Sequence, residues 1–259
     1  YAPADPIRGI YSAKIQYYLK EQVDTVHTDL LDSNGMLINS FLGYAPEYLP
    51  DPNFPRLMQG GSTLPTTAEG LNTFTWDLRY PGAASFEKMI IWSARPQRGP
   101  LAPLGSYQVR IRVGNIQETE NFEIKIDPNL EQITSADIQC QFDLSMQIRN
   151  ATNSANQAVI QIRSIRSQLK KLMNNHELSN LYASVHKIIE KTRKIEETLY
   201  QVKNQSNQDP LNFPIKLNNR LASLRRSVEN GQARPTDAAY VAVSYTHLRA
   251  HETPEQRGC

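Results

Sequence analysis

Acidic side chains that lie close to aromatic ones are the first candidates for chemistry in this sequence. Glu47, Asp51 and Asp77 lie near tyrosine, phenylalanine or tryptophan residues. A glycoside hydrolase needs two carboxylates that face each other across a sugar site. Arg79 lies close to Asp77, so pairing at the end of a strand is the simpler explanation of that acid. The sequence alone does not place any two of these acids close together in space.

Aromatic side chains are the second group of candidates. Several of them lie in or beside residues 44–68, a stretch rich in proline and glycine without periodicity, and loops this long often contact a partner. Such rings can stack on sugars or dock another domain, and proline-fixed apolar loops favour docking. The candidates for domain docking or sugar stacking are Tyr44, Tyr48, Phe54, Trp76 and Trp92.

Other site chemistries lack their motifs. His27, His176 and His186 have no metal-binding spacing, so we interpret them as exposed polar positions. A calcium loop would need an acid where Gly43 stands, so the acidic residues around Asp32 predict a polar turn. Residues 60–62 (GGS) lack the serine-hydrolase pattern, and there is no glycine-rich phosphate loop. No catalytic residue, metal or cofactor is therefore predicted.

Alternation of apolar and polar residues predicts β-strands in the first half of the chain. Residues 13–19 alternate in this way, and so do the runs around Trp76, Val109 and Ile124. Residues 32–35 (DSNG) and 114–115 (GN) have the composition of hairpin turns. We expect about seven strands in an antiparallel immunoglobulin-like β-sandwich.

Helical periodicity predicts a bundle in the second half. An a/d stripe of alternating three- and four-residue spacing runs from Leu178 to Val202, as in a coiled coil. A preceding helix is expected to begin with Ser135 as N-cap and to end near residues 174–175. A third helix should end at residues 230–231, and a fourth should open with Thr236 as its cap. This order predicts an up-and-down bundle of three helices and a truncated fourth.

The composition changes near residue 130. Residues 1–130 hold 12 of the 16 prolines and carry a net charge of −3, whereas residues 131–242 hold 3 prolines and carry +5. We therefore predict a β-domain at 1–130 and a helical domain at 131–242. The whole chain of 259 residues carries only +2, which argues against nucleic-acid binding by bulk charge. No apolar run is long enough to predict a membrane span.

Several motifs resemble one known family. Residues 12–19 (SAKIQYYL), 70–81 (GLNTFTWDLRYP) and 99–107 (GPLAPLGSY) resemble the C-terminal region of large bacterial proteins with sortilin-type β-propellers. These proteins are often labelled glycosyl hydrolases or BNR-repeat exo-sialidase-like proteins. The same region is matched, in the same order, by residues 141–144 (QFDL), 161–166 (QIRSIR), 214–221 (PIKLNNRL) and 233–236 (ARPT).

This resemblance implies an exported protein with β-propeller domains upstream of Tyr1, so that the chain is a fragment. Any catalytic residues would lie in those propellers. We therefore expect a non-catalytic accessory region that packs against the propellers and positions them. The alternatives are a carbohydrate-binding module and part of a glycoside hydrolase.

The end of the sequence resembles a translated sequencing adapter. Residues 243–253 (VSYTHLRAHET) carry this likeness, so residues 243–259 are expected to be an artefactual tail. The i,i+4 pair His247 and His251 is then not a metal site. Because the fourth helix is cut short, an apolar face should stay uncovered, either on the third helix or along the stripe from Leu178 to Val202, and should lead to self-association.

Overall fold

A computed structural model describes residues 12–45, 64–126, 132–173 and 181–251, with side chains described as far as residue 244. The chain divides into two compact units. Unit 1 comprises Tyr1–Pro81 and Gln97–Phe142, and unit 2 comprises Gly82–Pro96 and Asp143–Cys259. The segment Gly82–Pro96, called the strap below, thus belongs to unit 2, although its neighbours along the chain on both sides belong to unit 1.

Unit 1 contains antiparallel strands. They are β1 (Ala13–Leu19), β2 (Thr25–Leu31), β3 (Leu37–Tyr44), β4 (Gly70–Trp76), β5 (Arg79–Pro81), β6 (Arg98–Leu101), β7 (Gly105–Val113) and β8 (Ile116–Ile124). A four-stranded sheet has the order β3-β2-β7-β8, while β1 pairs with β4 and β5 with β6. The run at residues 13–19 forms β1 with the bounds that its alternation predicts. The short β5 and β6 bring the number of described strands to eight, one more than expected.

The turn between β2 and β3 is a polar hairpin turn, as predicted. Asp32 Oδ1 accepts hydrogen bonds from the backbone N–H groups of Asn34 at 2.8 Å and Met36 at 2.9 Å. Gly35 adopts a left-handed φ of 78°, which a side chain would disfavour. The Asp32 carboxylate therefore stabilises the turn in which it lies.

The interior of unit 1 is an aromatic core. Trp76 and Phe74 are fully buried. The ring of Phe74 lies 4.9 Å from that of Phe41, and Trp76 makes edge contacts with Tyr107 at 5.9 Å and Phe122 at 6.2 Å. Because burying one such side chain stabilises a fold by roughly 1.5–3 kcal/mol, this cluster contributes substantially to the stability of unit 1.

The helices confirm the α-helical character of the second half. They are α1 (Ser135–Met173), α2 (Tyr182–Leu199), α3 (Leu217–Val228) and α4 (Asp237–His251), with a short 3₁₀ helix at Asp209–Leu211. The chain is thus a mixed α+β protein with antiparallel sheets and, in its described part, four α-helices. The predicted connection at residues 174–175 lies outside the described residues.

The N-terminus of α1 corrects one prediction. Ser135 is the first helical residue and not the cap. Thr134 precedes it, and its Oγ1 accepts a hydrogen bond from Asp137 N at 3.2 Å while Thr134 N donates to Asp137 Oδ2 at 3.1 Å. This reciprocal pair needs an acid three residues after the cap, which Thr134 has and Ser135 lacks.

The ends of α3 and α4 follow their predicted signals closely. The last residue of α3 is Val228, with Glu229 as its C-cap, and Gly231 takes a left-handed φ of 92° just beyond. Because α4 begins at Asp237, Thr236 occupies the predicted cap position. Both ends therefore lie within two residues of the sequence signals.

The apolar face of α3 is covered. Its cluster consists of Leu144, Ile148, Leu221 and Val228, with Ala151, Leu217, Leu224, Ala239 and Val243 packed against it. Residues of α1, α3 and α4 contribute to this core. One of two faces is expected from the sequence to stay open. The face on α3 is closed, whereas several residues of the stripe on α2 are exposed.

Candidate interaction site

The predicted aromatic candidates have different surroundings. Trp76 is buried in unit 1 and donates a hydrogen bond from Nε1 to Arg79 O at 3.1 Å, so its ring offers no face to a ligand. Tyr44, at the end of β3, is 39% exposed, and Trp92, in the strap, is 36% exposed. Tyr48 and Phe54 lie outside the described residues.

The predicted acids do not form a described catalytic pair. Asp77 is nearly buried, accepts a hydrogen bond from Arg79 N at 3.3 Å and lies 4.0 Å from Arg98. This is the pairing at a strand end that the sequence favours. Glu47 and Asp51 lie outside the described residues.

A second buried acid in unit 1 is held by two cations. The Asp29 carboxylate is 3.0 Å from both Arg110 and Arg112, and it accepts a hydrogen bond from Ser40 Oγ at 2.7 Å. Burial alone would raise the pKa of Asp29. The hydrogen bonds from Ser40 and Arg110, together with the charges of both arginines, outweigh burial and hold that pKa below its usual value. Asp29 therefore stays ionised and joins neighbouring strands.

Side chains of unit 2 hold the strap by its backbone. At its beginning, the Arg149 guanidinium donates to Gly82 O at 3.1 and 2.8 Å. Asn153 Oδ1 accepts a hydrogen bond from Ala84 N at 2.9 Å, and Asn156 Nδ2 donates to Ala84 O at 2.7 Å. These contacts satisfy peptide groups that have no strand or helix partner.

The middle of the strap is anchored by an aromatic side chain. Phe86 meets the ring of Tyr200 edge to face at 4.9 Å, and the Arg163 guanidinium lies 4.6 Å from the Phe86 ring centre. The buried Tyr200 hydroxyl accepts a hydrogen bond from Ile90 N at 3.0 Å and lies 3.3 Å from Lys88 O, to which it donates. The ring of Tyr200 thus packs against Phe86, while its hydroxyl binds the backbone of the strap.

The last part of the strap holds Trp92. The Asn219 side-chain amide forms hydrogen bonds with both polar groups of the Trp92 backbone. Its Oδ1 accepts from Trp92 N at 2.7 Å, and its Nδ2 donates to Trp92 O at 3.0 Å. Arg226 donates to Ser93 O at 2.6 Å, and Arg225 donates to Arg95 O at 3.1 Å. The Trp92 backbone is therefore fixed while its ring remains partly exposed.

Backbone strain marks the same stretch. Lys88 and Ser93 have left-handed φ values of 58° and 54°, which are uncommon for residues other than glycine. Each strained residue has its carbonyl held by a hydrogen bond, from Tyr200 and Arg226 respectively. Such strain persists where the surroundings over-determine the conformation, and it often occurs at ligand-binding sites.

A buried charged group supports the anchor of the strap. Glu196 is almost fully buried and pairs with Arg163 at 2.7 Å and with Arg166. Asn218 donates to Asn156 Oδ1 at 3.0 Å below the strap. Burial, and to a smaller degree the positive charge of Arg225, lowers the pKa of Arg149. The polar groups of this region are thus hydrogen-bonded or ion-paired inside unit 2, except for Asn218 Oδ1, which is buried and finds no hydrogen-bond partner in the described part of the chain.

Sequence reasoning named Trp92 as a candidate but did not identify the residues that hold its backbone. A usable signal was present, because asparagine is a poor helix former and yet occurs at several positions within the helical pattern. Asn153, Asn156, Asn218 and Asn219 are among them, and each contacts the strap or supports it. Nothing in the sequence indicated which backbone groups these side chains would contact.

No metal site is defined by the described residues. Among them, no group of three or more histidine, cysteine, aspartate or glutamate side chains could hold an ion. His27 lies in β2 and the exposed His186 on α2, whereas His176 and the side chains of His247 and His251 lie outside the described part. Cys140 is a half-buried free cysteine.

Comparison with protein-family models, with curated proteins and with solved structures found no match to this chain. In the part of the chain that the structure describes, no helix combines the length and the apolar character needed to cross a membrane.

Proposed function

We propose that this chain is a non-catalytic accessory and interaction region of a larger exported bacterial protein with upstream β-propeller domains. In this proposal residues 1–130 form an immunoglobulin-like β-sandwich, and residues 131–242 form a helical bundle whose native fourth helix is truncated. Residues 243–259 are an artefactual tail, into which α4 continues as far as His251, with Val243 packed on the core of the bundle. The region packs against the propellers and positions them. The propeller partner and the export rest on the family resemblance of the sequence motifs.

The observation that carries an interaction role is the way Trp92 is held. A tryptophan with an exposed ring and a fixed backbone loses little conformational entropy when a partner covers it. Tryptophan is also enriched among the few interface residues that contribute most of the binding free energy. Here one amide, that of Asn219, fixes both backbone polar groups of Trp92. Trp92 is therefore the proposed anchor for a neighbouring domain.

The buried acids support a role without catalysis. Asp29 and Glu196 are each paired with two arginines, and Asp77 accepts a hydrogen bond from the backbone N–H of Arg79 at the start of β5. A general acid or nucleophile must instead reach a substrate. We expect no hydrolysis of aryl glycosides by this chain, and turnover that disappears in Asp77→Asn would contradict the proposal.

Hydroxyl-radical footprinting tests the docking role. Trp92 should be labelled in this chain alone and protected in the full-length protein that includes the propellers. Tyr18, which is 68% exposed, is the internal control and should be labelled equally in both. Equal labelling of Trp92 in the two proteins would overturn docking through this residue.

Carbohydrate binding is the second candidate, because a partly exposed indole on a fixed backbone also suits stacking on a sugar ring. The same footprinting experiment distinguishes the two functions when glycan fragments are added to this chain without propellers. Protection of Trp92 by a glycan would favour a carbohydrate-binding module. The fully buried Trp76 serves as the unlabelled reference in every sample.

A further inference from the structure

One side of α2 carries aliphatic residues that its own unit covers only in part. Leu181, at the N-cap of α2, is 47% exposed, and Ile188 and Ile195 are 44% and 46% exposed. The three are spaced seven residues apart, so they follow one side of the helix with little drift. We call them the α2 stripe. Exposed aliphatic residues in such a regular row are unusual unless a partner covers them.

The packed face of α2 lies beside the α2 stripe and fixes how the stripe is presented. Val185 and Glu196 are buried, and Glu196 pairs with Arg163 and Arg166 of α1. The Tyr182 hydroxyl donates to Met173 O, at the end of α1, at 2.7 Å. A buried ion pair fixes the rotation of α2 on α1, because turning the helix would leave charges unpaired. The α2 stripe therefore lies along the edge of the packed face, with nearly half of each residue exposed.

The exposed border of the α2 stripe is cationic. In helical projection, residues on its open side include Lys187, Lys191 and Lys194, and all three are exposed. The acids Glu190 and Glu197 lie further round the helix, 3.0 and 3.5 Å from Arg193. A partner that lies along the stripe thus meets three lysine ammonium groups before it meets a carboxylate.

The spacing and the charge indicate the occupant. A single row of aliphatic residues repeated every seven positions suits the packing of one helix against another. A helix that lies on a membrane usually shows a broader apolar face with aromatic residues, which this row lacks. A second copy would bring an identical cationic border, and like charges across an interface are unfavourable. The self-association expected from the sequence is therefore disfavoured here.

We propose that the α2 stripe docks an acidic amphipathic helix of a partner protein. Leucine or isoleucine side chains of that helix would pack between the stripe residues, and its glutamates or aspartates would face Lys187, Lys191 and Lys194. The α2 stripe shares no residue with the strap. Its partner therefore goes beyond the accessory function proposed above.

Fluorescence anisotropy on the full chain tests the proposal with two synthetic helical peptides. Both contain three heptads with Leu and Ile at a and d; one has Glu at e and g and the other Lys. We expect the Glu peptide to bind at least tenfold more tightly than the Lys peptide, and its affinity to fall as salt is added. Equal binding of both peptides would overturn the proposal.

Two sets of variants locate the site. Ile188→Ala/Ile195→Ala should weaken the Glu peptide at least tenfold, whereas the matched control Leu71→Ala/Ile116→Ala, at aliphatic positions 69% exposed on unit 1, should change affinity less than twofold. The triple substitution Lys187→Glu, Lys191→Glu and Lys194→Glu should invert the charge preference, so that the Lys peptide binds more tightly than the Glu peptide. Circular dichroism verifies that each variant keeps its helices.

Other occupants give different results in the same assays. If the unliganded chain sediments as a dimer that Ile188→Ala/Ile195→Ala dissociates, the occupant is a second copy and the proposal is wrong. If phosphatidylserine vesicles bind through these isoleucines while the Glu peptide does not, the occupant is a membrane surface, which also overturns it. Unchanged binding of the Glu peptide to the isoleucine variant would place its site elsewhere.

Discussion

Unit 1 and unit 2 both have an apolar core, but they use their buried polar groups differently. Unit 1 is organised around Trp76 and Phe74 and buries Asp29 between its strands, whereas unit 2 adds to its apolar cluster the buried Asn156, Asn218, Glu196 and Arg225 near the strap. Apolar contact is non-directional, so it tolerates small shifts of position. Hydrogen bonds need defined distances and angles, so they fix one arrangement. The difference suits a unit that must hold an irregular strap in a single conformation.

The largest effect is expected in the aromatic core. Trp76→Ala should reduce the free energy of unfolding of unit 1 by about 3–5 kcal/mol, because it leaves a cavity between Tyr107 and Phe122. Trp92→Ala, which removes an exposed ring, should have a much smaller effect. Hydrogen exchange resolves the two units. Equal acceleration in β7 and in α3 on Trp76→Ala would mean that the units unfold together.

A charged group gives the next largest effect, in unit 2. Glu196→Ala leaves Arg163 and Arg166 without their carboxylate. Complete burial of such a pair would make the loss about 3–5 kcal/mol, but partial exposure of both arginines lets water return, so we expect about 2–3 kcal/mol. The control Glu190→Ala removes an exposed pair and should cost less than about 1 kcal/mol. Urea denaturation followed by helical circular dichroism measures both.

Replacing a single asparagine should loosen the strap only near the backbone groups that this asparagine binds. Asn219→Ala removes both hydrogen bonds to the Trp92 backbone, and we expect a loss of about 1–3 kcal/mol with faster exchange of the Trp92 amide. Asn153→Ala should instead accelerate the Ala84 amide. The two variants are controls for each other. If either one accelerates both amides equally, the strap opens as one piece and not residue by residue.

The smallest effect depends on pH and belongs to unit 1. The folded state holds the pKa of Asp29 below its unfolded value of about 3.9. The stabilisation is therefore complete above the unfolded pKa and is lost as the pH falls through the folded pKa. Asp29→Asn should remove this part of the acid dependence. Urea midpoints at neutral pH and below pH 4 measure it, and parallel curves for wild type and variant would exclude the contribution.

Local patterns predicted the elements well, since they depend on residues close together in sequence. Alternation gave β1 with its observed bounds, and the turn around Asp32 followed from its composition. The same alternation places Phe74 and Trp76 on one face of β4, so the burial of Trp76 could have been inferred instead of a stacking role.

The strap could not be predicted, because its contacts are polar and distant in sequence. No periodicity marks Gly82–Pro96, and its partners are side chains whose hydrogen-bonding geometry exists only after α1 and α3 have formed. The exposure of the stripe on α2 was one of two predicted outcomes, but the sequence did not show which of its residues would be covered. Val185 belongs to the same predicted stripe and is buried, because the ion pairs of Glu196 with α1 fix the rotation of α2.

The strap also has a consequence for synthesis on the ribosome. Its hydrogen-bond partners follow it by 67 residues at Arg149 and by 133 at Arg226. At a translation rate of about 5–20 residues per second, the strap waits roughly 3–27 s before these partners have been made. During that interval Phe86 and Trp92 have no helices to contact, so nascent chains that stall after unit 1 has emerged should be the ones that recruit chaperones.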